Sequence, residues 1–249
     1  MKKFTKIAVV ISAILIVVGL ICLAISFGLG FTGRDFSNMV DNGKFNFALN
    51  MIGRWDKEQG FNEELQEPFR NLDIELGAGV LELTYGDVEE VQVQQNNIFG
   101  LECYVEDMTL HIEAGPSLGI HGTNETLQIV IPREQEFEQV DLEVGAGNAK
   151  LQGLIANTMD IEVGAGEVSI TNLDVKHLNA ETGAGKLFVE MVGEESNYGY
   201  DVECGIGELK VGGNSYGGVS NSQHISNPGA ERHMNLECGI GKIEVVFAE

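Results

Sequence analysis

The chain of 249 residues has few cysteines, few aromatic side chains and few basic residues. Its four cysteines include no CxxC pair and no cysteine–histidine spacing of the zinc type, which excludes a disulfide-rich scaffold and a zinc finger. Aromatic residues make up 7% of the chain. Only 15 lysines and arginines oppose 38 acidic residues, for a formal net charge of −23. This excess argues against binding to nucleic acid or to anionic lipid headgroups.

One long uncharged run lies near the N-terminus, at residues 7–31. At about 1.5 Å per residue it exceeds the ~30 Å hydrocarbon thickness of a bilayer, and it therefore predicts a transmembrane helix. Three lysines precede it, which predicts a cytoplasmic tip at residues 1–6 and an extracellular remainder. The alternative is a cleaved signal peptide, but its cleavage candidate around Ser26 lies inside the run. Residues 32–70 are interpreted as a partly helical juxtamembrane connector, which either lies at the membrane interface or covers the first turn of the following domain.

From about residue 71 one decapeptide recurs. Its six copies are DIELGAGVLE (73–82), DLEVGAGNAK (141–150), DIEVGAGEVS (160–169), NAETGAGKLF (179–188), DVECGIGELK (201–210) and NLECGIGKIE (235–244). Apolar and polar residues alternate in each copy, which predicts two short strands with one buried face. The Gly-x-Gly bend joins the two strands, and its middle residue, such as Ala146, is predicted to point inward.

The spacing of the copies predicts a solenoid. Three successive intervals of 19, 19 and 22 residues each suit one coil that stacks on the previous one. At about 20 residues per coil, residues 71–249 would form roughly nine coils. The predicted fold is therefore all-β, a single-stranded, right-handed β-helix behind one transmembrane helix. A segment rich in Gly, Ser and Asn, residues 212–233, predicts an inserted surface loop.

The repeat resembles that of a known family. Serial φ-E-φ-G-A-G coils (φ is an apolar residue) and the phrase IVIPREQEFEQVDLEVGAG at 129–147, behind a membrane segment, resemble the putative-adhesin family of bacterial surface proteins. That family has a domain of unknown function and includes the LiaG-like proteins of Gram-positive envelope-stress operons. The resemblance covers residues ~71–249. It implies a β-helix on a membrane-bound protein of the cell envelope, and it supplies no catalytic residues.

The third residue of every copy is glutamate. It alternates with buried positions, so stacked coils would align these glutamates in one outward column beside a second column of Asp or Asn. The column predicts a weak Ca²⁺ or Mg²⁺ ladder, or a docking strip for a basic envelope protein or peptide. The residues are Asp141, Glu143, Asp160, Glu162, Glu181, Asp201, Glu203 and Glu237, with Asp73 and Glu75 further along. A merely solvated repeat face is the alternative.

Cys204 and Cys238 fall at the same inward position of two copies, where either a disulfide or two buried thiols would fit. The predicted function is a non-catalytic, membrane-anchored envelope protein for binding, scaffolding or stress response, without a resident cofactor. A surface adhesin that contacts glycan or another cell through 212–233 and the solenoid face is the first alternative. A glycan-active enzyme is the second, but a uniform glutamate ladder lacks the unequal pKa values of a catalytic pair.

Overall fold

The computed structural model of the protein describes residues 62–65, 68–96, 98, 100–115, 125–217 and 221–248. The predicted transmembrane segment 7–31 and most of the connector 32–70 lie outside these residues. No helix within the described ranges is long and apolar enough to cross a membrane. The chain divides into two compact units, Met1–Arg54 and Trp55–Glu249. All the described residues belong to the second unit.

The described part of this unit contains eighteen β-strands and one short 3-10 helix, Glu195–Asn197. The strands are β1 (Asn62–Leu65), β2 (Asn71–Leu76), β3 (Val80–Gly86), β4 (Val91–Asn96), β5 (Leu101–Glu106), β6 (Thr109–Ala114), β7 (Thr126–Pro132), β8 (Phe137–Val144), β9 (Asn148–Gln152), β10 (Ile155–Val163), β11 (Glu167–Thr182), β12 (Lys186–Val192), β13 (Tyr198–Cys204), β14 (Glu208–Val211), β15 (Asn214–Ser215), β16 (Asn221–Ile225), β17 (Arg232–Cys238) and β18 (Lys242–Ala248).

The strands form two stacks that share one hydrophobic core, here called the front sheet and the back sheet. The front sheet runs in space β5, β6, β2, β8, β10, the second half of β11, β17, β13 and β16. The back sheet runs β1, β4, β7, β3, β9, the first half of β11, β12, β18, β14 and β15. Neighbouring strands are parallel except at the ends, where β1, β4, β5, β15 and β16 pair antiparallel. The prediction of an all-β, β-helix-like solenoid is confirmed.

Each of the six copies forms one rung, which consists of a front strand, the Gly-x-Gly corner and a back strand, and β6 and β7 pair with the neighbouring rung in the same way without belonging to a copy. The described residues contain seven rungs, in the order β6/β7, β2/β3, β8/β9, β10/β11, β11/β12, β17/β18 and β13/β14. Six steps of about 4.8 Å give a stack of about 29 Å. The prediction of nine coils is too high because the remaining strands run antiparallel at the two ends and complete no further rung.

The order of the rungs in space differs from their order in the chain at two places. The β6/β7 rung lies outside β2/β3, although it follows it in the sequence. The last rung of the chain, β17/β18, lies between β11/β12 and β13/β14. The predicted single-stranded helix, wound in chain order, is therefore corrected: the chain skips a layer and later fills it.

The Gly-x-Gly corners carry tight backbone contacts between rungs. A Cβ on Gly185 would lie 2.6 Å from the carbonyl oxygen of Gly166, so only glycine fits this close approach. The next backbone N–H along, that of Lys186, donates to the same oxygen at 2.9 Å. The middle residue of the corner is half-buried in Ala78 and exposed in its five counterparts, Ala146 among them, so the prediction that it points inward is wrong. At the opposite corner β11 bends at Asn172, which adopts φ +55°.

The core is built from columns of register partners. Leu142, Ile161 and Ala180 are paired across β8, β10 and β11 and are 2%, 1% and 3% exposed. These three side chains therefore stack in one buried column, as the period-two pattern predicts. Burial of a large aliphatic side chain contributes about 1.5–3 kcal/mol, so each rung is held mainly by its apolar contacts with the rungs above and below.

The segment predicted as an inserted loop, 212–233, holds β15, β16 and the first residues of β17. β16 adds an antiparallel strand to β13 and ends the front sheet. Three tyrosines pack at this end, and the hydroxyls of Tyr200 and Tyr216 lie 3.0 Å apart. Tyr200 also donates to Glu195 at 2.7 Å. Part of the predicted excursion is thus a structural cover for the last rung. At the other end, residues 62–65 of the predicted connector form β1 beside β4.

Candidate binding face

The outward side of the front sheet carries a continuous column of glutamates, here called the glutamate column. In spatial order it consists of Glu102, Glu113, Glu75, Glu143, Glu162, Glu181, Glu237 and Glu203. Each is the register partner of the next, so the strand pairing places like charges on successive rungs about 4.8 Å apart. The structure brings together all the glutamates that the repeat predicts. Glu237 lies between Glu181 and Glu203 because its rung is inserted there.

Two members of the column were missed by reasoning from the repeat. Glu113 lies in the stretch LHIEAG, a degenerate copy whose glutamate and glycine stand at the repeat positions. That similarity could have identified it. Glu102 belongs to the antiparallel strand β5, which has no repeat signature, and only the pairing with Glu113 places it in line.

A second outward column runs two residues earlier on the same strands. Its members are Asp73, Asp141, Asp160, Asn179, Asn235 and Asp201, in that spatial order. Amide groups bridge several of these carboxylates: Asn179 donates to Asp160 at 2.5 Å, and Gln139 donates to Asp141 at 2.9 Å. Carboxylates of the second column therefore already accept hydrogen bonds from amide groups of the same sheet.

Histidines occupy the ends of the second column. The His111 ring lies 2.9 Å from a carboxylate oxygen of Asp73. At the other end His224 and His233 lie 2.5 and 3.1 Å from the two oxygens of Asp201. These histidines are scattered in the sequence, and it is the antiparallel strand β16 that brings His224 to Asp201. Only the topology reveals this grouping.

The glutamate column, in contrast, has few partners. Tyr104 donates to Glu113 at 2.9 Å, and this hydrogen bond raises the pKa of Tyr104 to about 12. Within the described residues, no lysine or arginine forms an ion pair with Glu143, Glu162 or Glu181. The central part of the column thus carries uncompensated negative charge.

The electrostatics of the face follow from this arrangement. Desolvation, followed by repulsion from Glu113, Asp73 and Glu143, raises the pKa of Glu75. Desolvation, then Glu181 and Glu203, raises the pKa of Glu237. The pKa of Asp141 is also raised, mainly by desolvation. In each case the charged form of the carboxyl is disfavoured, so a proton or a cationic group that binds at this face stabilises the folded protein.

The back sheet has a different charge pattern. Its lysines lie among glutamates: Lys242 is 2.7 Å from Glu244 and 3.7 Å from Glu208, and Lys210 is 2.5 Å from Glu208. The two lysines lower the pKa of Glu208. Opposite charges therefore compensate one another on the back sheet, while the front sheet concentrates one sign.

The described residues contain no group of three or more His, Cys, Asp or Glu side chains that could hold a metal ion. The rung spacing sets the carboxylates in a line, and a notch of about 230 Å³ lies beside Glu75, Glu113 and Glu143. The weak Ca²⁺ or Mg²⁺ ladder stays a prediction. A calcium titration compared with matched ionic strength would test it by the shift in melting temperature.

The predicted cysteine column is present inside the stack. Cys204 and Cys238 are register partners on adjacent rungs, are 1% and 3% exposed, and are both thiols. Thr182 precedes them in the same column and is 1% exposed. Its hydroxyl oxygen has no hydrogen-bond partner among the described residues.

Comparison with solved structures finds a protein with the same fold. A crystal structure described as a putative cell adhesion protein from Clostridium sporogenes is 19% identical, with a TM-score of 0.55, and the match covers 77% of this chain and 100% of that one. A putative adhesin from Bacteroides fragilis is 13% identical, with 78% and 100% covered and a TM-score of 0.32. Comparison with curated proteins gives no match. The model of the Toastrack DUF4097 family matches residues 73–245, and the chain therefore belongs to that family.

Proposed function

We propose that the protein is a non-catalytic binding or scaffolding protein of the bacterial cell envelope, anchored in the membrane through residues 7–31, whose front sheet receives a basic protein or peptide. The glutamate column carries this proposal. Eight carboxylates in register, most without a cationic partner among the described residues, span about 34 Å at the spacing of parallel strands. A partner with lysines or arginines along its length would relieve the repulsion that the fold builds into this face.

Charge of this kind acts mainly on association rate and partner choice. A one-signed surface attracts an oppositely charged partner from a distance, and added salt screens the attraction. After position 31 the chain carries 12 basic and 38 acidic residues, so the local column is reinforced by the charge of the whole domain. The same charge disfavours nucleic acids and anionic lipid as ligands.

The envelope location is supported by the sequence. The run at 7–31 is long enough to span a bilayer, and the lysines before it favour a cytoplasmic N-terminus with the solenoid outside. An enzymatic role is disfavoured because the acids repeat uniformly from rung to rung, whereas catalysis on glycans needs one asymmetric acid–base pair.

A surface adhesin is the second candidate. The structure from Clostridium sporogenes with the same fold is described as a cell adhesion protein, and at 19% identity that likeness shows the fold alone. Residues 226–231 form a loop in the segment predicted for adhesion, between β16 and β17. Because Asn227 in this loop donates to the carbonyl of Tyr198 at 2.6 Å, side-chain replacements at its exposed positions test adhesion more cleanly than deletion.

Binding to a synthetic peptide tests the main proposal. The full-length protein in a nonionic detergent should bind a labelled 12-residue oligolysine at low salt, with affinity that falls steeply as NaCl is added. The triple variant Glu143→Gln, Glu162→Gln, Glu181→Gln should lose most of this binding, because it removes the unpaired centre of the column.

The matched control carries the same charge change on the back sheet, with Glu82, Glu167 and Glu190 replaced by glutamine. It should bind nearly as tightly as the wild-type protein. Equal losses in the two triple variants would show that only net charge matters, and absence of oligolysine binding at low salt would refute the proposal.

A further inference from the structure

Two isoleucines lie fully on the outside of the stack. Ile206 and Ile240 are the middle residues of the last two Gly-x-Gly corners and are 71% and 70% exposed. Their rungs are adjacent, since the N–H of Ile206 donates to the carbonyl of Gly239 at 2.9 Å. The two side chains therefore form one apolar surface feature, here called the isoleucine ridge.

The fold does not require isoleucine at these corners. The equivalent residue is alanine in the other four copies, Ala78, Ala146, Ala165 and Ala184. Ala165 makes the corresponding backbone hydrogen bond at 2.7 Å, so a methyl side chain is enough for the corner. Large apolar side chains exposed on neighbouring rungs are a mark of an interaction surface.

The surroundings of the ridge define the chemistry of its partner. On the front side, Ile206 and Ile240 each lie three residues after a glutamate of the column, Glu203 and Glu237. Glu181 lies in the same column on the next rung. On the back side Lys242, two residues after Ile240, is already paired with Glu208 and Glu244. The ridge is thus apolar with an uncompensated negative border. A second copy of this chain would bring the same negative border against it, and anionic lipid would be repelled in the same way.

We propose that the isoleucine ridge anchors a peptide segment of a partner protein that carries apolar side chains next to lysine or arginine. The apolar residues pack on Ile206 and Ile240, and the basic residues pair with the glutamates of the border. This deepens the proposed function and rests on it: the glutamate column attracts a basic partner, and the ridge fixes where along the column the partner is held.

Two labelled 12-residue peptides test the inference on the full-length protein in nonionic detergent. One has two adjacent leucines flanked by two lysines on each side, and the other has serines in place of the leucines. The wild-type protein should bind the leucine peptide about tenfold more tightly, since two apolar side chains leave water only there. The variant Ile206→Ala, Ile240→Ala should lose that preference and keep its affinity for the serine peptide. It restores the alanine of the other copies, so its fold is preserved.

The control variant Ile155→Ala, Val192→Ala removes two other partly exposed apolar side chains and should keep the tenfold preference. The inference is overturned if the ridge variant keeps the preference, or if the wild-type protein binds both peptides equally. It is also overturned if the ridge replacements change the sedimentation of the protein without peptide, since the occupant would then be a second copy. Failure of both peptides to bind at low salt would instead remove the proposed function together with the inference.

Discussion

Replacement of Glu237 by glutamine should stabilise the protein, although it removes a residue that the repeat always keeps. Glu237 stands between Glu181 and Glu203, with one carboxylate on either side at the rung spacing of about 4.8 Å. Two unit charges about 5 Å apart repel by about 0.8 kcal/mol even at the dielectric constant of water, so two neighbours give about 1.7 kcal/mol. Because the side chains splay apart, we expect a gain of about 1 kcal/mol in the free energy of unfolding at pH 7.

Urea unfolding followed by circular dichroism measures this gain, because urea leaves the ionic strength unchanged. In 20 mM NaCl the midpoint should shift to higher urea. In 1 M NaCl, where the screening length is about 3 Å, most of the shift should disappear. The control Glu167→Gln removes a carboxylate 3.8 Å from Lys186 and should be neutral or slightly destabilising.

The reasoning fails if Glu237→Gln is neutral or destabilising in low salt. It also fails if the gain is the same at both salt concentrations, since the gain would then come from packing and not from charge. A confirmed gain would mean that the glutamate column lowers the stability of the fold, as expected of a surface that is retained for binding.

Three further predictions concern pH, the corners and the core. Stability should rise as the pH falls from 7 towards 5, because Glu75, Asp141 and Glu237 have a raised pKa and stabilise the folded state when they are protonated. This contribution is lost as the pH rises through their folded-state pKa. A melting temperature that stays constant or falls on acidification at fixed ionic strength would contradict this prediction. Gly185→Ala should cost about 2–3 kcal/mol by urea unfolding, since its Cβ meets a backbone oxygen, whereas Gly213→Ala, with open space around it, should change stability by less than about 0.5 kcal/mol. Thr182→Val should stabilise by about 1 kcal/mol in the same assay, and a loss would show that the hydroxyl has a partner in solution.

The buried faces and the glutamate column could be predicted from the sequence because both depend on local periodicity. Alternation places Leu142 and Glu143 on opposite sides of a strand whatever the strand packs against. The corner breaks this rule: the buried positions step by three from Val144 to Gly147 and then by two to Ala149, so the turn shifts the parity and Ala146 faces outward. Period-two counting does not hold where the chain changes sheets.

The order of the rungs could not be predicted from the copies themselves. Every copy offers nearly the same apolar face, so any two can stack with similar energy, and the linkers decide which do. The 34 residues between the starts of the last two copies leave room for β15 and β16 to fold back before β17 begins. The grouping of His224 and His233 around Asp201 depends on the same fold-back of the chain, so it could not be predicted from the copies either.

The placement of β17/β18 between two earlier rungs has a consequence for synthesis. A chain released before residue 232 lacks an internal layer, so β11 and β13 lack their common neighbour β17, β12 and β14 lack β18, and the stack is interrupted. The cysteine pair and the isoleucine ridge are also both incomplete until the last strands emerge. A solenoid wound in chain order could tolerate the loss of a later coil, whereas here β17 and β18 complete a layer that earlier strands enclose on both sides.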